Sequence, residues 1–180
     1  MVNDVLDVSR LEAGQMPVKR AGWDLTQIAN DVCVALVGIH PERQIDIESP
    51  GAVNVNCDGA LVRRVMENLV SNAIKHTPTG TRTRVSIAGH DDRVRIAVHD
   101  EGSGVPPGKA ETIFEKFGTV AGRHDRDYES VGLGLAFCRL AVEAHGGHIG
   151  VDPGVPIGST FWFELPAQVT DIEKAPVFSA

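Results

Sequence analysis

Apolar residues recur at steps of three and four along four stretches of the chain and alternate with polar residues along several others, and this pattern predicts most of the elements. Residues 1–13, "MVNDVLDVSRLEA", space Val2, Val5, Leu6, Val8 and Leu11 as one helical stripe that stops at Gly14 with Pro17 beyond. The stretch reads as the C-terminal end of a helix, with a stripe that needs a partner helix from outside this chain or from a second copy. Residues 17–23 read as a connector. Asp24 is placed to cap a helix running to about Gly38, with Leu25, Ile28, Ala29, Val32, Leu36 and Ile39 inward and Pro41 ending it.

"RQIDIES" and "AVNVNCD" alternate with period two and predict two short strands separated by a Pro50-Gly51 turn. Asp58 then caps a long helix whose apolar face includes Leu61, Val65, Leu69 and Ile74. "TRTRVSIAGH" and "RVRIAVHD" predict a hairpin closed tightly by Asp91-Asp92. Residues 101–131 are rich in Gly, Pro and charge, broken only by "TIFEKF", and a loop of that length in a compact domain points to function or disorder. A further helix is predicted from Leu133 to His145, stopped by Gly146-Gly147, and then the strands "HIGVD" and "STFWFELP". The tail after Pro166 has weak periodicity and is expected to fray. Helices and hairpins in this order predict an α+β two-layer sandwich, a mixed and mostly antiparallel sheet covered on one face by helices.

Composition narrows the function. With 180 residues, 42% apolar content and a formal charge of -7, the chain suits one compact unit and lacks the cationic surface a nucleic-acid binder needs. Cys33, Cys57 and Cys138 are odd in number and far apart, without a CxxC pair, so they read as buried thiols. No apolar run reaches the roughly 18 residues of a membrane span, and Asp4 and Asp7 stand where a signal peptide would be basic, so a cytoplasmic location without membrane contact is expected.

The chemistry begins at "NLVSNAIKHTP", residues 68–78. Steps of four and three bring Asn68, Asn72 and Lys75 to one side of a helix, and buried amides need partners or a ligand. "HDEGSGVPP" puts Asp100 at a strand end, with Gly102 and Gly104 leaving backbone open to a flat or charged ligand. The Pro106-Pro107 that follows argues against a dinucleotide fingerprint, which needs a helix starting within its glycines. In "SVGLGLAF", Gly132 and Gly134 open a helix whose free N–H groups favour phosphate. "GSTFWFELP" heads a strand with Gly158, Ser159 and Thr160. Each piece alone fits a turn or a tightly packed helix start.

Together, and in this order, the pieces resemble the ATP-binding catalytic domain of sensor histidine kinases, in the superfamily shared with gyrase, Hsp90 and MutL. "NLVSNAIKHTP" is similar to the N box, "DEGSG" to the first glycine box, "IFEKF" to the F box and "GLGLAF" to the second glycine box. "LDVSRLEAG" is similar to the end of the second helix of the dimerisation and phosphoacceptor hairpin. The resemblance implies the Bergerat ATP-binding fold, with residues 1–16 as the end of the dimerisation helix and linker, 17–166 as the catalytic domain and 167–180 as a tail. It implies ATP and Mg²⁺ as ligands, with Asn68 and Asn72 at the metal and Lys75 at a phosphate. Asp100 would accept the adenine amino proton, and Gly102, Gly104 and Val105 would line the base pocket. Gly132, Leu133 and Gly134, with Leu135 adjoining, would hold phosphates. Thr160 would stand behind the adenine, and residues 118–131 would form a lid anchored by Phe114 and Phe117.

The match has departures. His76 stands where the family usually has Tyr or Phe, and would stack on the base more weakly, with a charge that depends on pH. Arg123 and Arg126 in the lid read as solvated. None of His40, His76, His90, His99, His124, His145 and His148 lies in the family's phosphoacceptor context, so the substrate histidine is expected on a hairpin ahead of residue 1 and these read as surface or packing residues. The implied reaction moves the ATP γ-phosphoryl to that histidine. The implied partners are the hairpin, a response regulator and, through the first helix, a second copy. The alternatives are an ATPase of the gyrase or Hsp90 kind, an anti-sigma serine kinase and a non-catalytic nucleotide-binding module. An ATPase of that kind needs a glutamate where this chain has Asn68, and Glu67 points about 100° away.

Overall fold

The computed structural model describes residues 2–90, 92–106, 108–118, 132–154 and 157–167. Helix α1 spans Val2–Glu12, strand β1 Ala21–Asp24, α2 Leu25–Ile39, β2 Gln44–Glu48, β3 Asn54–Cys57, α3 Gly59–His76, β4 Arg82–His90, β5 Arg93–Asp100, α4 Gly134–Ala144, β6 His148–Pro153 and β7 Ser159–Pro166. A 3-10 turn, Thr112–Phe114, lies within the long loop.

Five strands form one sheet in the order β2-β4-β5-β7-β6, with β2 parallel to β4 and every other pair antiparallel. Strand alternation decides what each face does. Thr83, Val85 and Ile87 of β4, Val94, Ile96, Val98 and Asp100 of β5, and Ser159, Phe161, Phe163 and Leu165 of β7 are buried. They lie beneath the helices, α2 on β2 and β4, α3 on β4 and β5, α4 on β6 and β7. The opposite face carries paired charges, Arg84 with Glu48 and Arg95 with Glu164, the Arg95 guanidinium stacking over Trp162. The two-layer sandwich is therefore as the apolar pattern predicts.

Strand partners, which the alternation leaves open, are set by the sheet, and two local expectations are corrected. β2 and β3 do not pair across the Pro50-Gly51 turn: β2 joins the main sheet, while β3 pairs antiparallel with β1 in a separate two-stranded sheet. β1 lies in the stretch read as connector, because four residues that include Gly22 carry no alternation and the strand exists only through its pairing with β3. Ile39, read as inward, is 69% exposed at the last residue of α2. The α1 stripe finds a partial partner within the chain, since Val8 is buried and α1 packs on α4, while Val5 and Leu6 stay exposed. Asp7 pairs with Arg64 at 2.6 Å, and the Arg64 guanidinium lies over the Phe137 ring.

The starts of α2 and α3 are capped as expected. Asp24 accepts from the Thr26 and Val53 N–H groups, and Asp58 from those of Lys19, Ala60 and Leu61. The two-residue connection between β4 and β5 is set by His90 facing Arg93; Asp91 itself, residues 119–131 of the lid expected over 118–131, with Arg123, His124 and Arg126, and the tail from residue 168 lie outside the described residues. Among the described residues no helix is long and apolar enough to cross a membrane.

His145 ties the two long helices together. Its Nε2 accepts the Asp58 N–H at 2.9 Å and its Nδ1 donates to the Ala141 carbonyl at 2.7 Å, which requires the neutral ring with its proton on Nδ1. Burial lowers its pKa from 6.5, because a charged ring there would be stripped of water. As pH falls below 6.5 the unfolded chain takes up a proton that the folded one resists, so stability falls with it. Urea denaturation at pH 7.5 and 5.5 should show lower stability at the acidic pH, with the difference reduced in His145→Gln; an equal pH dependence in both proteins would contradict the assignment.

Candidate functional site

The site lies where α3 ends, α4 begins and two strands of the sheet terminate. Leu69, Val70, Ala73 and Ile74 take the inward side of α3, so Asn68 and Asn72 emerge half-buried at its edge, with Lys75 and His76 exposed beyond them. The Asn68 amide nitrogen donates to the Arg64 carbonyl at 2.8 Å, one turn back. That bond turns its oxygen toward α4, so a Cβ built at Gly134 would meet Asn68 Oδ1 at 2.7 Å. No side chain caps α4 among the described residues, and the first helical hydrogen bond at its start runs from Phe137 N–H to the Leu133 carbonyl. The free N–H groups of the first turn and the positive end of the helix therefore open beside the Asn68 amide.

Asp100 closes the other side. It is 4% exposed, at the end of β5 and opposite Ser159. The loss of water pushes its carboxyl above the ordinary carboxylate range, opposed by N–H groups of Gly102 and Ser159 and by the nearby His99 and His76. The Gly102 N–H reaches its Oδ1 at 2.8 Å. Gly102 is held so closely that a Cβ would stand 2.5 Å from the His76 carbonyl oxygen, which packs the loop after β5 directly onto the end of α3. Gly104, at φ +75, meets Gly158 in the same way, and a Cβ at Gly158, at φ +92, would overlap the Asp100 carbonyl. Val105 is half-buried against the core.

The F-box segment meets the second glycine segment. Phe114 is buried edge-to-face on Phe161, with ring centroids 6.4 Å apart. Phe117 departs from expectation: its ring is 66% exposed, and the anchor it provides is backbone, its N–H donating to the Gly132 carbonyl at 3.1 Å. Leu133 is buried and Leu135 packs on the core, so both can offer a ligand only backbone groups.

Thr160 is corrected. It lies on the face of the sheet opposite Asp100, bonded through Oγ1 to His99 Nδ1 at 3.1 Å, and lines a hollow of about 360 Å³ with Glu48, Arg84, Ser86 and His99. Side chains alternate along a strand, and β7 sends Phe161, Phe163 and Leu165 inward, so the residue sharing their side with Asp100 is Ser159. That parity was present in "STFWFELP" and identifies Ser159 as the missed member of the site. Another hollow, about 620 Å³ between Arg10, Met16, Trp23 and Asp58, lies at the opposite end of α3 and gathers none of the glycine-rich segments.

The arrangement offers an acceptor for a polar heterocycle at Asp100, amide oxygens for a hard cation on α3, and a helix start for an anion on α4. The described residues contain no cluster of three or more His, Cys, Asp or Glu able to hold a metal, so a cation here would depend on amides and on the anion it accompanies.

Residues 57–169 match the family described as histidine kinase-, DNA gyrase B-, and HSP90-like ATPase. The chain is 36% identical over 184 residues to the sensory/regulatory protein RpfC of Xanthomonas campestris pv. campestris, covering 97% of this chain and 25% of that protein. It is 34% identical over 183 residues to the sensor histidine kinase AruS of Pseudomonas aeruginosa, covering 97% of this chain and 18% of that protein. It thus spans a quarter or less of either relative's length. Among solved structures, full-length ShkA in complex with AMPPNP superposes with a TM-score of 0.78 at 30% identity, over 92% of this chain and 35% of that one. The nucleotide-free catalytic domain of the histidine kinase ThkA gives 0.74 at 25% identity, over 83% of this chain and 96% of that one.

A substitution that adds one methyl tests the tightest approach in the site. Gly158→Ala should cost about 3 kcal/mol, since it meets both a positive φ and backbone that cannot move away. Gly89→Ala, where a Cβ meets nothing within 4 Å, should stay within about 1 kcal/mol. Denaturant midpoints of the two variants check the contrast, and equal costs would contradict it.

Proposed function

That the chain belongs to the histidine kinase-, DNA gyrase B- and HSP90-like ATPase family, as the ATP-binding catalytic domain of a sensor histidine kinase, is the premise from which we propose that it binds Mg²⁺-ATP between α3 and α4 and passes the γ-phosphoryl to a histidine on a separate phosphoacceptor hairpin. One observation carries this reading: five segments far apart in sequence meet in pairs, Asn68 with Gly134, Gly102 with His76, Gly158 with Asp100, and Phe117 with Gly132. AMPPNP, the ligand named for ShkA, is an ATP analogue and supports the same ligand here.

In this reading Asp100 accepts the adenine amino proton, and Gly102, Gly104 and Val105 border the base, with Ser159 behind it in place of Thr160. His76 is free to stack at the exposed edge. The α4 start, Gly132 to Leu135, receives phosphate oxygens through its N–H groups. Asn68 fits Mg²⁺ because its amide oxygen sits beside the start of α4, its nitrogen being committed to the Arg64 carbonyl, and Asn72 stands half-buried one turn further along α3 as the second amide. Bound Mg²⁺ would neutralise phosphate charge. Lys75 supplies a further cation from the last turn of α3.

Phosphoryl transfer demands positioning and charge neutralisation more than covalent help from the domain. The neutral imidazole attacks phosphorus, the N–P bond forms as the bond to the β-phosphate oxygen breaks, ADP leaves and the imidazole proton passes to solvent. Glu67, the one carboxylate next to Asn68, is exposed on a different side of α3, which disfavours a water-activating ATPase. The remaining partner is a response regulator, and the location cytoplasmic. Residues 1–16 serve as the end of a dimerisation helix, and Asn68, Asn72 and Lys75 as the residues in contact with the reacting phosphates.

ATP with Mg²⁺ at one hundred times Kd should stabilise the fold by about 2.7 kcal/mol. Asn72→Ala should remove the Mg²⁺-dependent part of the thermal shift, and Asp100→Ala the preference for adenine over guanine nucleotides; unaltered shifts in both would overturn the site. Incubation with γ-labelled ATP and a separate phosphoacceptor hairpin should give acid-labile label on the hairpin. Acid-stable label, or label released only as inorganic phosphate, would overturn histidine transfer.

A further inference from the structure

Arg43 belongs to the turn between α2 and β2, yet its guanidinium serves the far end of α3. Nη1 donates to the Thr77 carbonyl at 3.0 Å and to the Pro78 carbonyl at 2.8 Å, with Thr77 Oγ1 at 3.4 Å. The side chain is 13% exposed, its Nε is buried without a hydrogen-bond partner, and Glu42, the carboxylate paired with it, stands 3.7 Å away. Taking a cation this far out of water is unfavourable unless its surroundings compensate. Here the compensation is the negative end of α3 and two carbonyls of its last turn and exit, the Pro78 one shared with the Thr81 hydroxyl and N–H. Thr77 ends the helix at φ -115 and ψ 144, an extended conformation and not the left-handed cap that closes a helix by itself, and its hydroxyl is spent on the Ala73 carbonyl.

What Arg43 holds is the turn that carries Lys75 and His76. The His76 carbonyl is the surface against which Gly102 packs without space for a methyl, and the Gly102 N–H in turn fixes Asp100. One guanidinium therefore sets the position of the α3 end, the α3 end sets the loop, and the loop sets the carboxylate. We propose that Arg43 is a positioning residue for the nucleotide site, governing how well Asp100 tells adenine from guanine although it touches no nucleotide. The inference rests on the nucleotide-binding reading above. A cap that served stability alone would move the melting temperature and leave base preference alone, which separates the two roles.

The test compares wild type, Arg43→Met and Arg43→Lys, measuring Kd for Mg²⁺-ADP and Mg²⁺-GDP well below each protein's melting temperature. Arg43→Met should weaken ADP about tenfold or more, the scale on which a misplaced binding group costs affinity. It should also narrow the ADP-to-GDP ratio, while Arg43→Lys, which keeps the charge but not the fork of donors, should recover part of both. A folded Arg43→Met with wild-type ADP affinity and an unchanged ratio would overturn the proposal. If that variant does not fold, Arg43→Lys decides alone: a narrowed ratio supports the role and a wild-type ratio overturns it. Wild type failing to bind ADP at all is a different result, and would remove the nucleotide reading together with this inference.

Discussion

A carboxylate taken out of water must find hydrogen-bond donors, and the way Asp100 finds them organises this molecule. The donors are main-chain N–H groups of Gly102, two residues on, and of Ser159, across the β5–β7 ladder. Neither can approach unless the chain lacks side chains nearby, which is why Gly102, Gly104 and Gly158 cluster around it. Burial raises the carboxyl's pKa and the donors pull it back, leaving an acceptor with fixed direction at the mouth of the helix layer. An acceptor of that kind can discriminate between heterocycles, which a solvated carboxylate cannot.

The α3–α4 side of the site follows a complementary logic. α3 keeps its apolar side against the sheet and turns amides toward α4, whose start is left uncapped among the described residues and crowded by one of those amides. The helix dipole, the N–H groups of the first turn and the Asn68 oxygen thus converge on a place where the described residues hold no carboxylate cluster, which suits a metal that arrives with an anion. His145 fixes the relation between the far ends of the same two helices by joining the α3 cap to the last turn of α4. The end of the α3–α4 pair away from the site is therefore pinned by a single polar side chain.

Much of this was legible in the residues. Helix starts at Asp24 and Asp58, the alternation of β4, β5 and β7 and the grouping of Asn68, Asn72 and Lys75 depend on local spacing, and spacing is what a sequence displays. Ser159 was legible too, since its parity with Phe161, Phe163 and Leu165 places it inward and Thr160 outward. The pairing of β1 with β3, the exposure of Phe117, and the reach of Arg43 to Thr77 and of His145 to Asp58 were not. The Arg43 and His145 contacts join residues 34 and 87 positions apart and leave no periodic mark. The partner of β2 was not legible for a related reason: its alternation predicts a strand but says nothing about which neighbour it joins.

The central claim is that one metal-nucleotide site lies between the asparagine edge of α3 and the start of α4. Its most direct test is the broadening of side-chain amide signals by Mn²⁺, used as a paramagnetic replacement for Mg²⁺, in the presence and absence of ADP. With ADP, broadening should be strongest at Asn68 and Asn72 and absent at Asn56, at the other end of α3, and without ADP all three should remain sharp. Broadening that ignores ADP, or that is centred away from Asn68 and Asn72, would contradict the account.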